Sequence, residues 1–193
     1  IQHFMNGPES FTPDTRPLLG ESPYLRGFFV AAGFNSTGMM SSAGAGQVMA
    51  RWINDGAPPY DLWDVDIARF ERAHNASGYL NARIPESVGD VFNLHWPHKQ
   101  TKSGRDLRRL VLHQQLEDAG AVFGSVGGWE RPLWYASNGV SDTPAYSFGE
   151  QPWWPAAASE CQQLKDGVGL LELSPFTKID VKGKDALSFM QFA

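Results

Sequence analysis

The clearest pattern of hydrophobic and polar positions lies between Phe28 and Gly56. The apolar run Phe28 to Ala32 predicts a short buried strand. Gly33 and Gly38 then bracket a polar turn, Phe34-Asn35-Ser36-Thr37. Beyond it, Ala45, Val48, Met49, Trp52 and Ile53 recur at the spacing of one helical face. Gly56 falls where a helix-capping glycine belongs, and Pro58 blocks continuation. The whole reads as strand, glycine-bounded turn, helix.

Elsewhere the pattern is weaker. Ile1, His3 and Met5 alternate against Gln2, Phe4 and Asn6, which predicts a strand over 1–7. Residues 8–20 read as loop, with turn signals at Thr12-Pro13-Asp14 and Pro17 and with Asp14 as a turn cap. Residues 57–66 read as a linker and 66–74 as a short helix with Ile67 and Phe70 inward. The stretch 75–105 is loop-rich, with a strand expected at Val91 to Leu94. A helix is predicted over 110–119, closed by Gly120. Trp129, Trp134 and Tyr135 mark an aromatic packing segment, and 137–151 a polar linker. A helix over 157–166 places Cys161 and Leu164 on one face, with Cys161 expected to be buried. Strands are expected over 167–174 and 178–182, then a helix from Gly183.

Composition narrows the function classes. The chain has 193 residues, 42% hydrophobic and 19% charged, which is globular. A net charge of −5 gives no reason to expect nucleic acid or an anionic membrane as partner. No apolar run reaches the roughly 20 residues of a membrane span. The single cysteine, Cys161, forbids an intrachain disulfide. His95 and His98 lack a third ligand, and Pro97 prevents a helix that would align them, so no metal site is expected. Lys99, Lys102, Arg105, Arg108 and Arg109 read as a solvated basic stretch, with Arg105 and Arg109 available to carboxylates of the first domain. Glu130 and Arg131 are too close in sequence to form an acid–base device by themselves. The strand–turn–helix suits an anion or a polarised ring, because the first helical N–H groups lack internal partners and carry the positive end of the helix dipole. It matches neither the dinucleotide nor the phosphate-loop glycine spacing, so an ordinary strand-to-helix connection remains the alternative.

The words themselves add to the spacing. Asn6-Gly7-Pro8-Glu9-Ser10-Phe11-Thr12-Pro13-Asp14, Pro17-Leu18-Leu19-Gly20-Glu21 and Gly33-Phe34-Asn35-Ser36-Thr37-Gly38-Met39-Met40 resemble the sarcosine and dimethylglycine dehydrogenase family. Gly128-Trp129-Glu130-Arg131-Pro132 is similar to a word in its central module. Gly169-Leu170-Leu171-x-Leu173-Ser174 and Gly183-x-Asp185-Ala186 resemble the opening of its folate-binding module, shared with the glycine-cleavage T protein. The fold implied is mixed α/β and α+β. Residues 1–57 would be the C-terminal part of a Rossmann-type FAD-binding oxidoreductase domain, 58–150 a central linking module, and 151–193 the start of a T-protein-like domain. The resemblance further implies an internal piece of a longer polypeptide, poorly behaved by itself.

The same resemblance implies FAD and, in the whole protein, tetrahydrofolate. Gly33, Phe34, Asn35, Ser36, Thr37, Gly38, Met39 and Met40 become the cofactor-binding candidates, with the N–H groups of Ser36 to Met40 near the pyrimidine end of the flavin. Monomeric sarcosine oxidases attach their flavin to a cysteine shortly before the Thr-Pro-Asp word. Gly7 stands in that place here and offers no side chain to link. Met40 stands where those oxidases hold the substrate carboxylate with a basic residue, so the anchor is expected elsewhere, in the part of the polypeptide outside this chain. No catalytic residue is assigned. The implied activity is oxidative demethylation of a small N-methyl amino acid, with hydride passing to the flavin and the one-carbon unit to tetrahydrofolate. An electron-transfer flavoprotein is the implied partner. The setting implied is the mitochondrial matrix in a eukaryote or the cytoplasm in a bacterium. Two alternatives stand beside it: the non-enzymatic pyruvate dehydrogenase phosphatase regulatory subunit, and a bacterial FAD-dependent amine oxidase.

Overall fold

A computed structural model describes residues 2–136 and 139–192. Two small antiparallel sheets and a set of helices make up a mixed α/β arrangement. The first sheet pairs β1 (Leu18–Glu21) with β2 (Phe29–Ala32), Leu18 opposite Ala32 and Glu21 opposite Phe29. The connecting loop is closed by the Glu21 carboxylate, which accepts the Gly27 N–H at 2.6 Å.

Helix α1 (Gly38–Asp55) lies against this sheet. Its buried residues Ala45, Met49 and Trp52 join Leu19 in one apolar cluster, flanked by Phe29, Phe34, Leu62 and Val65. Gly20 is required here for two reasons. Its φ is +117°, and a Cβ would stand 2.5 Å from the Trp52 ring. Gly56 closes the helix in the left-handed conformation, donating to the Trp52 carbonyl at 2.9 Å. Of the predicted face, Ile53 is 57% exposed, because the sheet spans only four residues per strand and does not reach the last turn.

Two single-turn 3-10 segments, Ile67–Arg69 and Arg72–Asn75, replace the helix expected over 66–74. The Asp66 carboxylate caps the first by accepting the Ala68 N–H at 2.8 Å. Helix α2 (Ser77–Phe92) follows, where loop and a strand at Val91 to Leu94 were expected. Gly78, Pro85 and Gly89 hide it in the sequence, whereas Arg83, Glu86 and Asp90 on one side hold it through ion pairs.

Helix α3 (His113–Asp118) is shorter than predicted and leads into a hairpin of β3 (Ala121–Val126) and β4 (Trp129–Tyr135). Gly127 and Gly128 form the two-residue turn with φ of +57° and +79°, the conformation such a hairpin demands. The register slips between Val122 and Phe123, opposite Pro132, whose missing N–H leaves a gap in the ladder. Helix α4 (Trp154–Asp166) packs on β4 through buried Ala156 and through Trp153, which stacks on Trp134. Cys161 is exposed, contrary to expectation, since α4 meets β4 through Ala156 and Glu160 instead.

Residues 2–7, 167–174 and 178–182 form no strands, although the sequence predicts them. Among the described residues none finds a partner strand, and a strand cannot form without one. Helix α5 (Ala186–Phe192) agrees with the predicted helix start after Gly183. Ile1, Ser137, Asn138 and Ala193 lie outside the described residues, and with them the first position of the expected N-terminal strand and part of the expected linker.

Candidate functional site

The turn from Gly33 to Met40 carries more constraint than a simple connection needs. Gly33 has φ +64°, and a Cβ there would stand 2.6 Å from the Thr12 methyl. Asn35 and Ser36 also adopt positive φ, +50° and +66°. Asn35 tolerates this because its side chain bonds locally. It is 3% exposed. Its Oδ1 accepts the Thr12 N–H at 2.9 Å, and its Nδ2 donates to the Gly33 carbonyl at 2.6 Å and to Thr12 Oγ1 at 3.1 Å. The Thr12-Pro13-Asp14 turn and the start of α1 are thus one clamped unit.

The helix start itself is left open. Thr37 is the N-cap, but its hydroxyl donates backwards to the Phe34 carbonyl at 2.6 Å and caps nothing. Its N–H is also taken by Phe34, at 2.9 Å. The ladder begins with Ser41 donating to the Thr37 carbonyl at 3.0 Å, which leaves the N–H groups of Gly38, Met39 and Met40 ahead of it. No acidic side chain occupies the first turn. Met39 and Met40 are 97% and 83% exposed, Ser36 is exposed, and Phe34 packs inward on the apolar cluster. The arrangement therefore presents backbone donors and the positive dipole end to the outside, on a support fixed by Asn35 and Thr12.

The same turn is tied to the next segment. Asp14 accepts from Arg69 Nε at 2.7 Å and from Nη2 at 3.1 Å, a bidentate pair, and Arg69 also donates to the Arg16 carbonyl. Asp14 caps its own turn as expected, accepting the Arg16 N–H at 3.2 Å. Thr12 and Arg69 were not legible as supports; a threonine ahead of Pro-Asp was the available signal for the first.

The basic stretch is not a patch. Arg105 clamps the buried Glu130, which also accepts the Asp106 N–H at 2.8 Å. Burial alone would raise the Glu130 carboxyl, yet the Arg105 and Asp106 bonds hold it below the ordinary carboxylate value. Arg109 pairs with Asp106, Arg108 with Glu71, and Lys99 with Asp90. Arg105 and Arg109 thus find carboxylates near their own segment, not in 1–57, because the hairpin folds Glu130 back over residue 105. Burial lowers the pKa of His74, with Asp14 partly opposing it. His74 Nδ1 accepts the Glu71 N–H at 3.1 Å, which fixes the neutral ring. His98 packs edge-on against Trp153. No described helix is long and apolar enough to cross a membrane.

Comparison with known proteins accounts for this order of parts. Residues 1–52 match the model of the FAD dependent oxidoreductase family, 55–109 that of the FAD dependent oxidoreductase central domain, and 112–193 that of the GCVT N-terminal domain. The chain is 44% identical, over all its length, to the 4-methylaminobutanoate oxidase (formaldehyde-forming) of Paenarthrobacter nicotinovorans, covering 23% of that protein. It is 35% identical over 96% of its length to human mitochondrial sarcosine dehydrogenase, again covering 23%. It is 32% identical over its whole length to the mouse mitochondrial pyruvate dehydrogenase phosphatase regulatory subunit, covering 22%. The chain therefore spans less than a quarter of these relatives. It belongs to the sarcosine and dimethylglycine dehydrogenase family of FAD-dependent oxidoreductases.

Proposed function

We propose that this chain forms part of an enzyme that uses FAD to oxidatively demethylate a small N-methyl amino acid, and that the turn Gly33 to Met40 faces the flavin. The open start of α1 carries the reading. Its donors are uncapped by any described side chain, and the support beneath them is rigid. Backbone N–H groups and a helix dipole suit the electron-rich edge of a flavin ring better than a cationic ligand. Gly33, Phe34, Asn35 and Thr37 shape and hold the turn; Ser36, Gly38, Met39 and Met40 present its outer surface. Bound FAD would supply the two-electron oxidation of the N-methyl carbon. The chain's own contribution is to fix the ring and favour its reduced, more negative form. The GCVT part supports transfer of the one-carbon unit to tetrahydrofolate, although no residue of this chain is assigned to folate. An electron-transfer flavoprotein is the proposed acceptor, with dioxygen the alternative for an oxidase. A eukaryotic enzyme of this type would work in the mitochondrial matrix, a bacterial one in the cytoplasm.

The test is product analysis on the full-length protein supplied with FAD, an artificial electron acceptor and sarcosine, dimethylglycine or 4-methylaminobutanoate. Formaldehyde is expected from at least one amine, and methylenetetrahydrofolate in its place when tetrahydrofolate is present. No product from any of the amines would move the reading to a non-enzymatic role like that of the phosphatase regulatory relative.

A further inference from the structure

A polar cavity borders the turn that holds Thr12 and Thr15. It encloses about 200 Å³, and its wall includes Thr15, Arg83, Asp90, His95, Lys99 and Thr101. Thr15 belongs to the same turn as Thr12, whose carbonyl accepts the Thr15 N–H at 3.3 Å. One end of this turn thus holds Asn35 at the start of α1, and the other borders the cavity.

The charges are mixed and only partly used. The Arg83 side chain is 7% exposed. Its Nη1 is 3.2 Å from Glu86 Oε2 but makes no hydrogen bond. Its Nη2 is 3.6 Å from Asp90 Oδ2, too long for a hydrogen bond. Glu86 is already engaged by the Lys102 N–H at 2.8 Å, by the Ser103 N–H at 2.7 Å and by the Ser103 hydroxyl. Lys99 Nζ donates to Asp90 Oδ1 at 2.6 Å. Arg83 Nη1 is therefore held to Glu86 by charge but lacks a hydrogen bond, and a buried guanidinium nitrogen in that state is costly and rarely left so without use. A lone anion fits poorly, since Asp90 faces the same space. A lone cation fits poorly because of Arg83 and Lys99. A small zwitterion satisfies both.

We propose that this cavity binds the zwitterionic amino-acid group of the substrate: the carboxylate against Arg83 and Lys99, the ammonium against Asp90. This rests on the reading of the chain as part of an N-methyl amino acid oxidoreductase, and supplies the carboxylate anchor that Met40 cannot be. The cavity is large enough for an amino acid of sarcosine's size. Lys99 and Asp90 hold one another in its absence, so the pocket does not collapse.

The experiment uses the full-length protein and the variants Lys99→Met and Lys99→Arg, with Lys182→Met, an exposed lysine paired to Asp180, as control. Lys99 is partly exposed, so its replacement leaves the fold intact where Arg83 variants threaten it. For Lys99→Met, KM for sarcosine or dimethylglycine should rise about tenfold or more, the loss of one charge-assisted bond, with bound flavin and kcat little changed. KM for N-methylethylamine, which lacks the carboxylate, should not move. Lys99→Arg should recover most of the loss. Calorimetric titration with glycine tests the pocket without any turnover, and its affinity should fall in Lys99→Met alone. Equal glycine affinity and equal KM in all variants would overturn the proposal. Absence of bound flavin in the unmodified protein would instead overturn the oxidoreductase reading, while the glycine titration still decides the pocket.

Discussion

Asn35 shows how one side chain can set a site it does not itself form. Its amide closes bonds to Thr12 and Gly33 in a buried position, and the open helix start beyond depends on them. Asn35→Ala leaves the buried Thr12 N–H unpaired and makes positive φ costly. A loss of about 2 kcal/mol is expected in denaturant unfolding of the full-length protein, together with weaker FAD retention. Glu130 is a second such residue. Glu130→Ala strands Arg105, and a loss of about 3 kcal/mol is expected. Its titration carries a sign. The folded carboxyls of Glu130 and Glu86 both lie below their ordinary value. Their stabilisation is therefore full above the unfolded carboxylate range, and is lost as pH falls through the folded values. A Tm profile should fall steeply on acidification below about pH 4.5, and Glu130→Gln should flatten that part of it. A profile of equal slope in both proteins would count against the pairing. The sequence made Glu130 visible as part of a distinctive word, but its partner lies 25 residues away in the chain, which no local pattern reveals.

At the scale of elements, the sequence was most legible where period and punctuation agreed. Strand β2, the turn and α1 were readable because the apolar period changes between two glycines. But β2 is not the buried strand expected: Phe28, Ala31 and Ala32 are exposed, since among the described residues it has only one partner strand and no second layer over that face. Strand β1 was not, since Pro17 and Gly20 signal turn in a segment whose strand character comes from pairing with β2. Helix α2 was missed for a related reason. Its stability comes from the ion pairs of Arg83 and from packing near Gly104, and Pro85 in its interior contradicts the local rule. Pro85 is exposed, so Pro85→Ala restores a helical hydrogen bond without loss of packing. A gain of up to about 3 kcal/mol is expected in chemical denaturation. A loss would mean that the proline sets a bend that the central segment needs. The strand expected over 178–182 illustrates the converse: alternation marks a strand that only a partner can realise.

At the scale of the whole molecule, the clamp from Asn35 through Thr12 and Asp14 to Arg69 joins the first segment to the central one. Leu62 and Val65 extend the same joint by packing on the α1 core. The remaining surface is unusually apolar. Leu170, Ile179, Leu187 and Phe192 are among many large side chains left in solvent, and each sheet has only two strands. The 193-residue chain purified alone should therefore bind a hydrophobic dye strongly and self-associate. A dye-silent monomer with cooperative unfolding would contradict that. The candidate flavin turn was legible as a set of residues, but not as an arrangement: no sequence feature showed that Thr37 leaves the helix start uncapped. The visible absorption spectrum of the full-length protein, recorded before and after anaerobic addition of an N-methyl amino acid, tests the central claim most directly. Flavin bands that bleach with sarcosine, dimethylglycine or 4-methylaminobutanoate are the predicted result. A protein that shows no flavin bands after incubation with FAD, or whose bands none of these amines bleaches, would contradict it.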